Sequence, residues 1–212
     1  MKSNPQYEAM LLPARERLKK YSIDEICRKG GLTYDKEHSS FLLRSLNQDI
    51  HISYPDFVAA EDLEMWHHLT LLQYMDTADG TPLTGSWIGL TQMHGGLARG
   101  HSFDVEVSKR AALDFSSTDS ATFMKACLAL GGEILTDSAH KKADVSSIIY
   151  YAPRFPVLVN FWEADDEFPA SCKTLLDAHA EHYLTIEAAG GVCSTIISTL
   201  SPLISHIQKK EP

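Results

Sequence analysis

Residues 147–162 read SIIYYAPRFPVLVNFW and predict a pair of antiparallel strands. Two apolar runs, 147–151 and 157–162, are rich in β-branched and aromatic residues and have the length of buried strands. Residues 153–156 between them contain two prolines, which restrict the backbone and make a short, stiff connection. We therefore predict a hairpin-like unit at this point of the chain.

The remaining pattern alternates helices and short strands without regular β-α-β spacing, which favours an α+β fold. The Ser-x-x-Glu pattern of Ser22 and Glu25 predicts a capped helix that ends at Gly30–Gly31. Residues 83–102 contain five glycines and are predicted to be mostly loop. The expected helices are 7–21, 23–30, 61–78, 120–130, 175–184 and 186–208, the last interrupted near 190–191 and 202, and the other strands are 41–46, 50–54, 87–90 and 103–107.

These elements predict one domain over residues 1–212. We expect a small, mostly antiparallel sheet packed by several helices, with a long C-terminal helix and a peripheral N-terminal helical segment, 1–30. The 212 residues suffice for one sizeable hydrophobic core.

The composition is that of an ordinary globular protein, with 44% hydrophobic and 22% charged residues. The net charge of -9 argues against non-specific binding to nucleic acid or to an anionic membrane. No secretory signal and no run of roughly 18 apolar residues is evident, so we expect a soluble protein. The four cysteines have no metal or cluster spacing, and reduced thiols in a cytoplasmic protein are the simpler expectation.

An acidic motif, FWEADDEFP at residues 161–169, follows the second apolar run. Asp165, Asp166 and Glu167 are suited to a hard divalent cation such as Mg²⁺ or Ca²⁺, because such ions prefer carboxylate oxygens. One acid beside its neighbours is alternatively suited to stay protonated and act as a general acid. The competing structural interpretation is a surface loop whose acids cap a helix or pair with a nearby basic residue.

Two histidines form a second candidate group. On the predicted helix 175–184, His179 and His182 are three residues apart and face the same side. Such a pair with a nearby carboxylate is typical of Zn²⁺ or Fe²⁺ sites, although the His-Glu-x-x-His motif is absent. Alternatively, one histidine is solvated and the other packs or caps. If the acidic motif folded against this helix, the two groups together would favour a metal-dependent hydrolase.

The glycine-rich stretch 87–101 is a third candidate site. Its glycines would let backbone N–H groups approach an anion, with Arg99 and the flanking His94 and His101 supplying charge. Trp87 and Trp162 would provide aromatic walls for a small ligand. A plain loop with turn glycines is the competing interpretation, and no nucleotide-binding motif is present. His67 and His68 are adjacent on a predicted helix and are assigned no role.

Several separated segments together resemble an uncharacterised family of domains of unknown function from anaerobic bacteria and archaea. They are residues 30–31, 78–88, 131–132, 143–145, 162–169, 176–177, 182–184 and 187, and the resemblance covers roughly residues 25–200. Some relatives join this domain to an iron–sulphur domain like that of the corrinoid protein of acetyl-CoA synthesis. The resemblance therefore implies a role in anaerobic one-carbon or corrinoid metabolism, but it supplies no catalytic residues.

Three hypotheses follow. The first is a binding or accessory module for a small anionic or tetrapyrrole-like ligand, or for a partner protein, and we favour it. The second is the metal-dependent hydrolase. In the third, the motif 162–169 is a folding element that combines a strand end, a helix cap and a stop at proline. The sequence leaves open whether the protein is an enzyme, what its ligand is, and its oligomeric state.

Overall fold

The computed structural model describes residues 5–136 and 143–210, and in this part of the chain the predicted α+β fold is confirmed. The six α-helices are α1 (Pro5–Leu18), α2 (Ile23–Gly30), α3 (Met65–Thr77), α4 (Gly96–Asp114), α5 (Ser120–Ala129) and α6 (Ile186–Lys210). The eight strands are β1 (Thr33–Asp35), β2 (Ser40–Ser45), β3 (Gln48–Ser53), β4 (Trp87–Ile88), β5 (Glu133–Ile134), β6 (Val145–Ala152), β7 (Phe155–Trp162) and β8 (Ser171–Asp177).

The strands form two antiparallel sheets. A three-stranded sheet has the order β1-β2-β3, and a five-stranded sheet has the order β4-β8-β7-β6-β5. The predicted hairpin is the β6–β7 pair, whose connection is shortened to Pro153 and Arg154 because Pro156 already lies in β7 opposite Tyr150. A side-chain hydrogen bond joins the two sheets, since Ser45 Oγ donates to the carbonyl of Tyr151 at 2.6 Å.

Helix α5 packs on β6 and β7 through an aromatic cluster. The rings of Phe123 and Phe161 stack with centroids 4.1 Å apart, and Phe115 meets both rings edge-on. All three side chains are fully buried, and fully burying a Phe contributes about 1.5–3 kcal/mol. The cluster thus fixes α5 and the end of α4 on one face of the larger sheet.

The N-terminal segment is part of the core, although the sequence predicted it to be peripheral. Leu11 and Leu18 of α1 are fully buried, and α1 packs against α3. Tyr7 donates a hydrogen bond from its hydroxyl to Nδ1 of His68 at 2.8 Å, while Nε2 of His68 donates to the carbonyl of Phe57. The neighbouring His67 is also buried and hydrogen-bonded to Ser45 Oγ at 2.7 Å, so both histidines have structural partners.

Residues 96–107 were predicted to be loop and strand, and this was wrong because they lie in α4. The glycines are spaced four apart for packing: a Cβ on Gly96 would lie 2.2 Å from the carbonyl oxygen of Leu90, and one on Gly100 would lie 2.6 Å from its carbonyl carbon. Glycine here lets the helix backbone touch the short 3-10 turn Leu90–Gln92. The apparent strand alternation at 103–107 is one turn and a half of this helix.

Residues 175–184 were predicted to be a helix, and this too was wrong. Residues 175–177 complete β8, paired with β7 and, at its end, with β4, and a short 3-10 turn, Ala180–His182, follows. The buried side chains of Thr174 and Leu176 alternate along the strand. Tertiary pairing in the sheet therefore outweighs the helical periodicity.

Helix α6 runs without interruption through Gly190, Gly191 and Pro202. An 18-residue window of it is apolar enough to cross a membrane, with a mean hydropathy of 1.4, a feature that the sequence analysis missed. Nine residues of the helix are nevertheless buried, and it packs against α3, α4 and α5. These are the contacts of a core helix, and in a soluble fold such helices pass the same length and hydropathy test.

The adjacent glycines of α6 predict opposite effects on stability. A Cβ on Gly190 would lie 2.5 Å from the ring of Phe103, whereas one on Gly191 would meet nothing within 4 Å. We expect Gly190→Ala to destabilise the protein by about 1–3 kcal/mol through overpacking. We expect Gly191→Ala to stabilise it by about 0.5–1 kcal/mol, because alanine favours the helix. Urea unfolding measures both, and the same sign for the two variants would contradict this packing.

Candidate ligand cleft

A cleft of about 650 Å³ lies between α3, α4 and α6. Its floor is α6, which presents small side chains at helical spacing: Ala188, Gly191, Thr195 and Ser198. Gly191 leaves the cleft open at this point of the floor, since no atom outside the local helix backbone lies within 4 Å of the position where its Cβ would be. This volume lies within the range of about 300–1,000 Å³ that is typical of small-molecule sites.

Two aromatic side chains line the walls of the cleft. Trp66, in the first turn of α3, leaves 51% of its surface exposed. Phe103 of α4 contacts Gly190 and is half-buried. Leu69 and Gln73 of α3 complete that wall. The cleft therefore offers aromatic contact area together with the hydroxyl groups of its floor.

The charged side chains of the cleft are mostly acidic. Among the described residues, the charged ones that line it are Glu64, Glu106 and Glu187 with a single cation, Arg110. Arg110 donates from Nε to the carboxylate of Asp114 at 2.9 Å, and Glu187 is paired with Arg99. Neither Glu64 nor Glu106 makes a side-chain hydrogen bond or ion pair in the described part of the chain. Two carboxylates thus face the cleft without a partner.

A polar network lies beside the end of the cleft where α6 begins. Nδ1 of His182 donates to the carboxylate of Asp79 at 2.7 Å, and Nδ1 of His179 donates to the carbonyl of Pro82 at 2.9 Å. Tyr183 donates from its hydroxyl to the carbonyl of Thr81. These bonds tie the segment after α3 to the segment that enters α6.

Asp177 is the buried centre of this network. Its carboxylate accepts hydrogen bonds from the backbone N–H groups of Thr84, Gly85 and His179 at 3.0, 2.8 and 2.9 Å. Burial raises the pKa of Asp177, but these hydrogen bonds outweigh it and hold the pKa below its usual value. A carboxylate so fully occupied by backbone donors has a structural role.

Asp79 is more exposed but also has a lowered pKa. Burial raises the pKa of Asp79, but hydrogen bonds from His182 and from Thr81 lower it by more, to about 2. The same carboxylate accepts the backbone N–H of Thr81 at 2.8 Å. The carboxylate of Asp79 is therefore ionised at neutral pH.

The residues predicted from the glycine-rich stretch do not form one pocket. Arg99, on α4, reaches the rim of the cleft through Glu187, and the backbone N–H of His94 donates to the carboxylate of Glu181 at 3.1 Å. His101 is exposed on α4, and Trp87 pairs with Asp177 across β4 and β8. Of these four, only Arg99 contacts a residue that lines the cleft.

Trp162 lies far from Trp87. Trp162 is paired with Ser171 at the start of β8, whereas Trp87 is paired with Asp177 at its end. Six residue steps along a strand span about 20 Å. The two tryptophans therefore cannot form opposite walls of one small ligand site.

The acidic motif and the histidine pair are separated in the same way. Asp165, Asp166 and Glu167 lie in the exposed connection before β8, and His179 and His182 follow its end. One metal ion cannot contact both groups. Among residues 5–136 and 143–210, moreover, no three His, Cys, Asp or Glu side chains are grouped as a metal ion requires.

The acidic motif has the contacts of a folding element. Asp165 Oδ1 accepts the backbone N–H groups of Glu167 and Phe168 at 2.8 and 2.7 Å, which closes a tight turn. Glu163 accepts both the backbone N–H and the hydroxyl of Ser120 at the start of α5. These contacts agree with the third hypothesis, although the capped helix is α5 and the element that follows the motif is a strand.

The sequence reasoning missed the cleft. One wall comes from α4, of which residues 96–107 were predicted to be loop and strand, and the floor comes from a part of α6 predicted to be interrupted. The spacing of small residues at 188, 191, 195 and 198 was a usable signal, because such positions share one face of a continuous helix.

A family model for a domain of unknown function, DUF3786, matches residues 22–199 of the chain. The match covers most of the protein, so the chain belongs to this family. It includes every residue of the cleft and of the polar network, while α1 lies outside it. No curated protein and no solved structure showed significant similarity to the chain.

The Asp79–His182 pair predicts a specific dependence of stability on pH. The pKa of Asp79 is about 2 in the folded protein and about 3.9 in unfolded chains. Its ionised carboxylate therefore stabilises the fold above about pH 4, and this stabilisation disappears as the pH falls towards 2. We expect Asp79→Asn to be less stable than wild type at pH 7, and the difference to shrink between about pH 4 and 2.

Urea unfolding at several pH values measures this difference. Asp166→Asn is the matched control, because Asp166 is exposed and has no hydrogen-bond or ion-pair partner in the described part of the chain. Equal stability of the two variants at pH 7 would show that the Asp79–His182 contact contributes nothing.

Proposed function

We propose that this protein is a small-ligand-binding module whose ligand occupies the cleft between α3, α4 and α6. The observation that carries the proposal is the open space above Gly191, flanked by an exposed tryptophan and by unpaired carboxylates. Apolar and aromatic walls with a few polar groups are typical of ligand sites. About half of the surface of Trp66 is exposed, and a ligand in the cleft would cover it.

The site differs from the one that the sequence suggested. Trp87, His94, His101 and Trp162 lie outside the cleft, and Arg99 reaches it only through Glu187. The proposal therefore keeps the class of function, a ligand-binding module, and moves the site to the helices. For the metal-dependent hydrolase the described residues offer no metal site, because its acids and histidines lie at opposite ends of β8.

We also propose that the module works in the cytoplasm. Its four free cysteines, three of them buried, suit a reducing compartment. The resemblance described above supports a role as a cofactor-binding or accessory module in anaerobic metabolism, in one-carbon or corrinoid chemistry.

Filling the cleft tests the proposal. In Gly191→Leu the new side chain enters the open space, and leucine favours the helix more than glycine does, so the fold should be retained. We expect fragments from a chemically diverse library to shift the NMR signals of the Trp66 indole and the Gly191 backbone in wild type. The same fragments should leave Gly191→Leu unshifted at Trp66.

Gly191→Ala is the matched control, because it gains helix propensity with little filling and should bind as wild type does. Circular dichroism and thermal unfolding check that both variants are folded. The proposal fails if no fragment perturbs the cleft in wild type, or if the perturbations persist unchanged in Gly191→Leu.

A further inference from the structure

The charges of the cleft indicate what kind of ligand it accepts. The single arginine, Arg110, is engaged by Asp114, and Glu187 is neutralised by Arg99. Glu187 also lies in the first turn of α6, where the helix dipole favours a negative charge. Each of these two pairs is neutral overall, so neither adds a net charge to the cleft. What remains is the carboxylates of Glu64 and Glu106.

These two carboxylates differ in how well the fold accommodates them. Glu64 occupies the N-cap position of α3 without a capping hydrogen bond, and the helix dipole compensates part of its charge. Glu106 lies in the middle of α4, far from either helix end, and has no such compensation. Of the two carboxylates, Glu106 is therefore the one that receives less compensation from a helix dipole.

The aromatic groups point to the same class of ligand. Trp66 and Phe103 line the cleft with these carboxylates, and the face of an aromatic ring attracts cations electrostatically. The net charge of -9 on the chain would also raise the local concentration of positively charged ligands near such a cleft. An anionic ligand would instead face two unpaired carboxylates, and the described residues that line the cleft offer it no cation outside an ion pair.

We propose that the ligand of this cleft is a small organic cation, an amine attached to an apolar or aromatic group. This inference rests on the proposed function and specifies its ligand class. The amine lies near Glu106 and Glu64, and the apolar group covers Trp66 above the small residues of α6. The anionic ligand expected from the glycine-rich stretch is thereby replaced by a cationic one.

A matched trio of probes tests the charge preference. Phenethylamine, phenethyl alcohol and hydrocinnamate have the same ring and similar length, and they differ in carrying a positive charge, no charge or a negative charge. We expect NMR titration at low salt to show that the amine binds about three- to tenfold more tightly than the alcohol. Hydrocinnamate should bind most weakly, and added salt should reduce the preference.

Variants locate the charge that is responsible. The double variant Glu64→Gln and Glu106→Gln should lose most of the preference for the amine while still binding the alcohol. Glu167→Gln is the control, because it removes one negative charge from the exposed acidic motif, outside the cleft, and should bind as wild type does.

The outcomes separate this inference from the proposed function. If the alcohol or hydrocinnamate binds at least as tightly as the amine, and Gly191→Leu abolishes that binding, the cation inference is wrong while the cleft remains a ligand site. A preference that survives in the double variant also overturns it. If no member of the trio binds, the inference is overturned, and the fragment screen alone then decides the proposed function.

Discussion

The approach of α6 to α4 is set by the contact between Gly190 and the ring of Phe103, and the cleft depends on this contact. Because Gly190 has no side chain, the two helices meet closely at this point. One position further along, Gly191 faces away from the contact and leaves space open. Before α6 begins, the hydroxyl of Thr77 at the end of α3 donates a hydrogen bond to the carbonyl of Tyr183. The three helices thus line a volume whose floor carries only small side chains.

The polar residues beside the cleft serve mainly to hold the chain in place. Asp177 binds three backbone N–H groups, and His179 and His182 bind a carbonyl and a carboxylate of the segment after α3. In the sequence, the pair His179 and His182 with a nearby carboxylate is typical of a metal site. Here their hydrogen-bonding capacity is used to fix the turn between β8 and α6, which in turn positions the first residues of the cleft.

The sequence predicted the elements whose local signals agree with their tertiary setting. The capped helix α2 and the β6–β7 hairpin formed as expected, because Ser22 accepts the N–H of Glu25 and the apolar runs pair in the sheet. The errors at 96–107 and 175–184 have one cause. Gly96 and Gly100 resemble loop residues until the backbone of Leu90 is placed against them, and 175–177 resemble a helix until β7 pairs with them. Both depend on contacts between distant parts of the chain, and the cleft was missed for the same reason.

Native mass spectrometry of anaerobically purified protein, compared with its denatured mass, tests the central claim most directly. Wild type and Gly191→Leu are purified side by side, so that they differ only in the space above one residue of α6. If the cleft holds a ligand in the cell, wild type retains an added mass of an organic molecule that the filled variant lacks. A bare wild-type chain, or the same added mass in both proteins, would contradict the claim that this cleft is the ligand site.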